Sequence, residues 1–246
     1  MHNDHLRIFV INLAASRDRL EKISHALGSR GIRFERVDAV DGRQLPQPRR
    51  WLSPISLILV GRRLLPSEIG CWLSHRKIWQ RMVDEDIPLA LVLEDDAVPR
   101  VTLDDLLAVD PARAKLDLLR VHVLKAQRLE ANCHRTRIFQ ADREIVMQTY
   151  PSHSATAYFL TLAGARKLLS MQRILAPLDW FSLWSLVVGL KHGILAPNMF
   201  DAKIDDTSTI GKRDSNAWQR LYKHMLRHLI LRHVDRWMLR RFMKET

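Results

Sequence analysis

The stretch Leu89-Ala90-Leu91-Val92-Leu93-Glu94-Asp95-Asp96-Ala97 constrains this chain more than any other. An unbroken apolar run ends in three consecutive carboxylates. The run is too short for an ordinary helix, and its Leu and Val content reads as a buried strand. The carboxylates then stand at the strand's C-terminal end, the edge where open α/β sheets bind ligands. Side chains alternate faces along an extended chain, so Glu94 and Asp96 are expected to project together and Asp95 opposite. Buried carboxylates are costly unless paired, hydrogen-bonded or on a metal. These residues alone fit equally well a solvated loop with one Asp capping the next helix.

The flanking chain reads as alternating strands and helices. Leu6–Leu13 is an apolar strand with Asn12 near its end. Ser16 stands where an N-cap would, with Leu20, Ile23 and Leu27 at helical spacing, and Gly28 and Gly31 mark the stop. Ile32–Val37 reads as a second strand, so the chain opens strand–helix–strand, the unit of a parallel sheet. Asp41-Gly42 is a turn signal. The proline-rich stretch 44–61, which includes the apolar run Ile55–Val60, reads as a partly helical connection. Ser67 is expected to cap a helix carrying Glu68, Ile69, Trp72, Leu73, Ser74, His75, Trp79 and Val83. Trp72 and Trp79 belong to its core stripe. A short helix is expected over Leu103–Val109 and strands over Lys115–Val123 and Ala155–Leu162. Gln127–Gln140 is expected to form loops or a hairpin, and a helix should enter near Ala163. Pro177-Leu178-Asp179-Trp180 reads as a compact turn.

At 246 residues, 47% hydrophobic and 27% charged, the chain can bury one sizeable core. Cys71 and Cys133 make no disulfide framework and fit a reducing cytosol. The first residues lack a signal-peptide pattern, and no apolar run reaches the length of a membrane span. A cytoplasmic protein is the expectation. The net charge of +12 favours anionic partners without choosing among them. From Trp218 onward the pattern is helical. Arg232, Arg236 and Arg240 step along one face, and Ile230, Val234, Trp237 and Met238 lie on another. Such a helix suits an anionic membrane surface, or else docks on the domain with its basic face in solvent.

Four motifs stand in a fixed order. They are Phe9-Val10-Ile11-Asn12-Leu13 with Arg17-Asp18-Arg19; Asp38-Ala39-Val40-Asp41-Gly42; Glu68-Ile69-Gly70-Cys71-Trp72-Leu73-Ser74-His75; and Leu91-Val92-Leu93-Glu94-Asp95-Asp96-Ala97. Together they resemble glycosyltransferase family 25, the bacterial lipooligosaccharide and lipopolysaccharide sugar transferases, with animal collagen galactosyltransferases as distant relatives. The likeness extends to Ala157-Tyr158-Phe159-Leu160, Gly164-Ala165 and Pro177-Leu178-Asp179-Trp180. It implies a GT-A-like α/β fold, a mostly parallel central sheet flanked by helices, over residues 1–211, with 212–246 left as the basic tail. It also implies a UDP-galactose or UDP-glucose donor, inversion at the anomeric carbon, and a glycolipid or oligosaccharide acceptor. Its carboxylate motif is taken as the metal and donor-phosphate site, filled here by Glu94, Asp95 and Asp96. The family often has Gly where Ser67 stands.

In such a transfer a divalent cation stabilises the departing diphosphate, and oxygen ligands suit Mn2+ or Mg2+. Glu94 and Asp96 are the expected metal ligands. Asn12, Arg17, Arg19, Asp41, Gly42, Ser74, His75 and Asp95 are the expected donor-binding residues. Arg17 and Arg19 open a helix, where N–H groups and guanidinium forks favour phosphate. Inversion needs a general base near the acceptor hydroxyl. Asp179, beside the Trp180 ring, is the first candidate; Glu68, Asp205 and Asp206 are rivals, and Asp179 otherwise reads as a helix cap. Two competing classes are a metal-dependent nuclease or phosphoryl-transfer enzyme, and a catalytically inactive membrane-associated binding protein. No second cluster of metal-type residues favours the nuclease, and no specific nucleic-acid partner is expected.

Overall fold

A computed structural model describes residues 6–123, 133–140, 143–148 and 154–202. The basic tail and Asp205 and Asp206 lie outside the described residues.

The elements follow in order: β1 (Leu6–Asn12), α1 (Arg17–Gly28), β2 (Glu35–Asp38), α2 (Ser56–Val60), α3 (Pro66–Asp84), β3 (Leu89–Glu94), β4 (Ala97–Pro99) and α4 (Leu103–Leu107). After these come β5 (Leu118–Arg120), β6 (Cys133–Gln140), β7 (Arg143–Gln148), β8 (Ala157–Thr161), α5 (Leu162–Leu169), α6 (Phe181–Val188), β9 (His192–Ala196) and β10 (Phe200–Ala202). One sheet has the order β2-β1-β3-β8-β5-β9-β7-β6. Its strands are mostly parallel; β8 and β7 run against the rest. β4 and β10 form a separate antiparallel pair.

Why the central strands are apolar throughout is visible in their side-chain alternation. Phe9 and Ile11 of β1 and Ala90 and Val92 of β3 pack with Trp72, Trp79 and Leu168, from α3 and α5. Ile8, Val10, Leu91 and Leu93 pack the other way, with Ile23, Leu27 and Leu106, from α1 and α4. A sheet covered on both faces needs apolar residues at every position. The same alternation decides where the carboxylates go. Glu94 follows Val92 onto the α3 face, and Asp95 follows Leu93 onto the α1 face.

Several boundaries differ from the sequence expectation. α3 starts at Pro66, with Leu65 rather than Ser67 at the N-cap. The Glu68 carboxylate, three residues in, accepts the Leu65 N–H at 2.9 Å, so proline and glutamate set this start together. Ser16 holds the N-cap position of α1, but its hydroxyl makes no capping bond. The second strand begins only at Glu35, and the strand expected over Lys115–Val123 shortens to Leu118–Arg120. The basic segment before Gln140 contributes β6, half of a β6–β7 hairpin. Among the described residues no helix is long and apolar enough to cross a membrane.

Candidate active site

The site assembles at the C-terminal ends of β1 and β3, where Ile11 lies opposite Glu94. The loop after β2 is held there by contacts that leave no room for side chains. A Cβ on Gly42 would sit 1.6 Å from the Pro66 carbonyl oxygen, and one on Gly70 would sit 2.4 Å from the Val40 oxygen. Ser74 completes the stitch: its Oγ accepts the Val40 N–H at 2.8 Å and donates to the Gly70 oxygen at 2.7 Å. Thus the second and third motifs are two sides of one backbone contact. Gly42 and Ser74, expected to bind donor, are both engaged in this packing. Asp41 caps the turn Gly42–Gln44. It accepts the Arg43 N–H at 3.0 Å and the Arg43 guanidinium at 2.9 and 3.0 Å, and the arginine's side-chain hydrogen bond holds the carboxyl below its ordinary range.

Asn12 and Asp95 form a second knot on the α1 face. The Asn12 amide donates to Asp95 Oδ2 at 2.8 Å and to the Ser16 oxygen at 3.0 Å, while its Oδ1 accepts from Arg36 at 3.2 Å. Arg19 donates to the other Asp95 oxygen at 3.1 Å. Asn12, Arg19 and Asp95 therefore bind one another, anchoring the carboxylate turn to β1 and α1. Arg17 stands apart. It is exposed, with no ion pair to another described residue.

On the α3 face a buried relay orients Glu94. Trp79 Nε1–H donates to Tyr158 Oη at 3.2 Å, and Tyr158 Oη lies 2.8 Å from His75 Nδ1. With its oxygen accepting from Trp79, the tyrosine hydroxyl has Nδ1 as its acceptor. That bonding pattern assigns the imidazole proton to Nε2, which faces Glu94 Oε1 at 3.4 Å. Cys71 Sγ lies 3.7 Å from the same oxygen. Burial pushes Glu94 toward its neutral form, but the hydrogen bond and electrostatic pull of His75, with the Cys71 hydrogen bond and the His122 imidazole, outweigh it and keep the carboxyl below its usual range.

Cys71, His75 and Glu94 offer ligand atoms within 4.8 Å of one another, a spacing a metal ion can use. The donor chemistry argues for hydrogen bonds instead. With no cation bound, burial, then the charges of Glu94, Asp179 and Glu68, push the Cys71 thiol well up, which suits its contact with Glu94 Oε1 as a donor. A thiolate is also a poor ligand for Mg2+ or Mn2+.

Asp96 differs from its two neighbours. Its Oδ1 is buried and has no hydrogen-bond partner. Burial first, then the charges of Glu94 and Asp95, push the carboxyl up to about 7. An orphaned carboxylate oxygen beside two other carboxylates fits an oxygen-seeking divalent cation. Glu94, whose charge reaches Asp96, engages His75 and Cys71 through Oε1 alone.

The candidate bases separate clearly. Glu68 is buried, bidentate with Arg62 at 2.6 and 2.7 Å, and accepts the Leu65 N–H. A carboxylate so engaged is a strut for α3 and is poorly placed to accept a proton. Asp179 sits half-buried in the turn before α6, where Trp180 rather than Asp179 takes the N-cap position. Trp184 Nε1–H pins that turn through the Leu178 oxygen at 2.8 Å. Asp179 lies close enough to raise the Cys71 thiol, so the fold brings it to the Glu94 cluster from more than eighty residues away.

Sequence reasoning missed Tyr158, Cys71 and His122 as parts of this site. Buried His122 bonds Ser154 Oγ at 2.7 Å. Burial lowers its pKa, against the opposing pull of Asp201 and Glu94, whose charges reach it. Asp201 comes from β10, opposite Val98 of β4 just past the carboxylates. Only folding joins these segments, and no local spacing marks them. A shallow groove of about 850 Å3, lined by Arg7, Phe34, Glu35, Glu85 and Pro88, lies at the opposite edge of β1 and β3, away from the carboxylates.

An α/β domain with an anchored acidic cluster at the C-terminal edge of its central strands belongs to the ligand-binding class of such sheets. Comparison with known proteins makes the assignment specific. The profile of glycosyltransferase family 25 (LPS biosynthesis protein) matches residues 5–181, and the chain belongs to that family. It is 32% identical over 182 residues to a probable inactive glycosyltransferase 25 family member 3 of Bos taurus, covering 71% of this chain and 30% of that protein. It is 31% identical over 185 residues to procollagen galactosyltransferase 1-B of Xenopus laevis, with the same coverage. The chain thus spans about a third of the length of these relatives. A crystal structure of a glycosyltransferase involved in the glycosylation of the major capsid of PBCV-1 superposes on 90% of the chain and 98% of its own, with a TM-score of 0.45 and 7% identity, too distant to add to the family assignment.

Proposed function

We propose that the chain is an inverting glycosyltransferase. It moves a hexose, galactose or glucose, from a UDP-sugar to a lipooligosaccharide- or lipopolysaccharide-type glycan acceptor, at the cytoplasmic face of the inner membrane. The observation that carries this reading is the orphaned Asp96 oxygen beside an oriented Glu94. These two carboxylates would hold Mn2+ or Mg2+. A divalent cation there supplies Lewis-acid stabilisation to the departing diphosphate.

The chain's own residues divide the remaining work. His75 and Cys71 fix the Glu94 carboxylate, and Tyr158 fixes His75. Asp95, held by Asn12 and Arg19, sets the turn that presents Asp96. Exposed Arg17 at the start of α1 can reach a phosphate or base. Asp179 accepts the proton of the acceptor hydroxyl as that oxygen bonds the anomeric carbon and the carbon–oxygen bond to UDP breaks. The half-buried Trp180 ring beside it suits a sugar face. A galactosyltransferase among the relatives supports hexosyl transfer, and the basic tail supports a peripheral membrane location.

The test is UDP release from UDP-galactose and UDP-glucose with Mn2+, with and without a glycolipid acceptor. Acceptor-stimulated release that Asp179→Asn lowers about a hundredfold or more supports the reading. No release with any acceptor, together with no UDP binding, would point to an inactive relative and overturn it.

A further inference from the structure

We propose that α2 and its arginine rim form a docking surface for an anionic lipid bilayer, separate from the basic tail. Between Gly42 and Ser67 the sequence has five arginines and no carboxylate. Within it, α2 presents large aliphatic side chains to solvent: Ile55 is 50% exposed, Leu57 50% and Ile58 66%. Ser56 and Val60 are buried and hold the short helix against the domain, and Gly61, at φ 69°, turns the chain away after it.

The surrounding charge selects the partner. Arg43 is engaged by Asp41, and Arg62 by Glu68. Arg49, Arg50 and Arg63 are exposed, and none forms an ion pair with a described residue. Arg173, also exposed, extends the basic rim by donating to the Leu52 oxygen at 3.4 Å. Trp51 sits half-buried at the boundary, with the Arg50 guanidinium 5.0 Å from its ring centre. Exposed aliphatic side chains ringed by arginine, with tryptophan at the edge, match the interface of a bilayer carrying negative headgroups. A purely anionic polymer offers nothing to the aliphatic side chains.

The position adds a consequence that rests on the proposed transferase reading. Arg62 follows α2 directly and is bidentate with Glu68, one helical turn before Cys71, which contacts Glu94. A bilayer under α2 therefore lies next to the first turn of α3, on the side where a lipid-borne acceptor would approach.

The experiment is flotation of the full chain with vesicles of phosphatidylcholine alone and of phosphatidylcholine mixed with phosphatidylglycerol. The wild type is expected to float with the mixed vesicles. Ile55→Ser/Leu57→Ser/Ile58→Ser and Arg49→Glu/Arg50→Glu/Arg63→Glu are each expected to partition about tenfold less or weaker. Circular dichroism and UDP binding should match the wild type, which separates loss of docking from loss of fold or of the donor site. Vesicle binding by the serine variant equal to wild type overturns the proposal. So does binding that only removal of residues 212–246 abolishes, or a wild-type dimer that the serine variant turns monomeric while still floating. Failed UDP binding with intact, α2-dependent flotation would count against the transferase reading alone.

Discussion

Asp96 carries the clearest chemical signal at the scale of single residues. A carboxyl that titrates near 7 when folded, against about 4 in the unfolded chain, holds more protons folded than unfolded between those values. Stability must therefore fall as pH rises through that window. Without a cation, Asp96→Asn should be more stable than wild type at pH 8 by about 1–3 kcal/mol and show little difference near pH 4, as measured by urea denaturation in EDTA. With Mn2+ the order should reverse, because only the wild type gains ligand stabilisation. A wild-type curve unaffected by Mn2+ at pH 8 would speak against the cation. Tyr158 makes the matching claim for the relay. Tyr158→Phe strands Trp79 Nε1 and the His75 Nδ1 acceptor, so it should cost about 1–3 kcal/mol in chemical denaturation. It should also lower kcat more than it raises KM. Equal stability in the two proteins would show that the hydroxyl bonds contribute nothing.

The backbone contact between the β2–α2 loop and α3 governs the site at the scale of elements. Gly42 and Gly70 meet with no space for a Cβ, and Ser74 bonds across the same gap. Gly42→Ala should force the loop off α3 and destabilise the chain by about 3 kcal/mol or more, read as a lower urea midpoint. A variant as stable as wild type would mean that the loop yields freely. The strands were the most legible elements in sequence, since β1, β3 and β8 are apolar runs covered on both faces. The even split of Glu94 and Asp95 between faces was legible for the same reason. Helix starts were less so. Ser67 has the usual capping chemistry, yet Pro66 at the first helical position and the Glu68–Leu65 bond move the start two residues earlier.

Over the whole molecule, the site depends on contacts between distant segments, and this limited what sequence could reveal. The motif order led to the correct family. It could not distinguish residues facing a ligand from those facing each other. Asn12, Gly42, Ser74 and Glu68 have the chemistry of binding residues, but the structure engages all four internally. Tyr158, His122 and Asp201 reach the carboxylates only through the sheet order that sets β8 between β3 and β5 and pairs β10 with β4. The most direct test of the central claim, a cation-dependent nucleotide site on Glu94 and Asp96, is calorimetric titration of UDP into the full chain. UDP should bind in Mn2+ and weaken at least about tenfold in EDTA, and to a similar extent in Asp96→Asn with Mn2+ present. UDP binding with equal affinity in Mn2+ and EDTA, or undiminished in Asp96→Asn, would contradict the account.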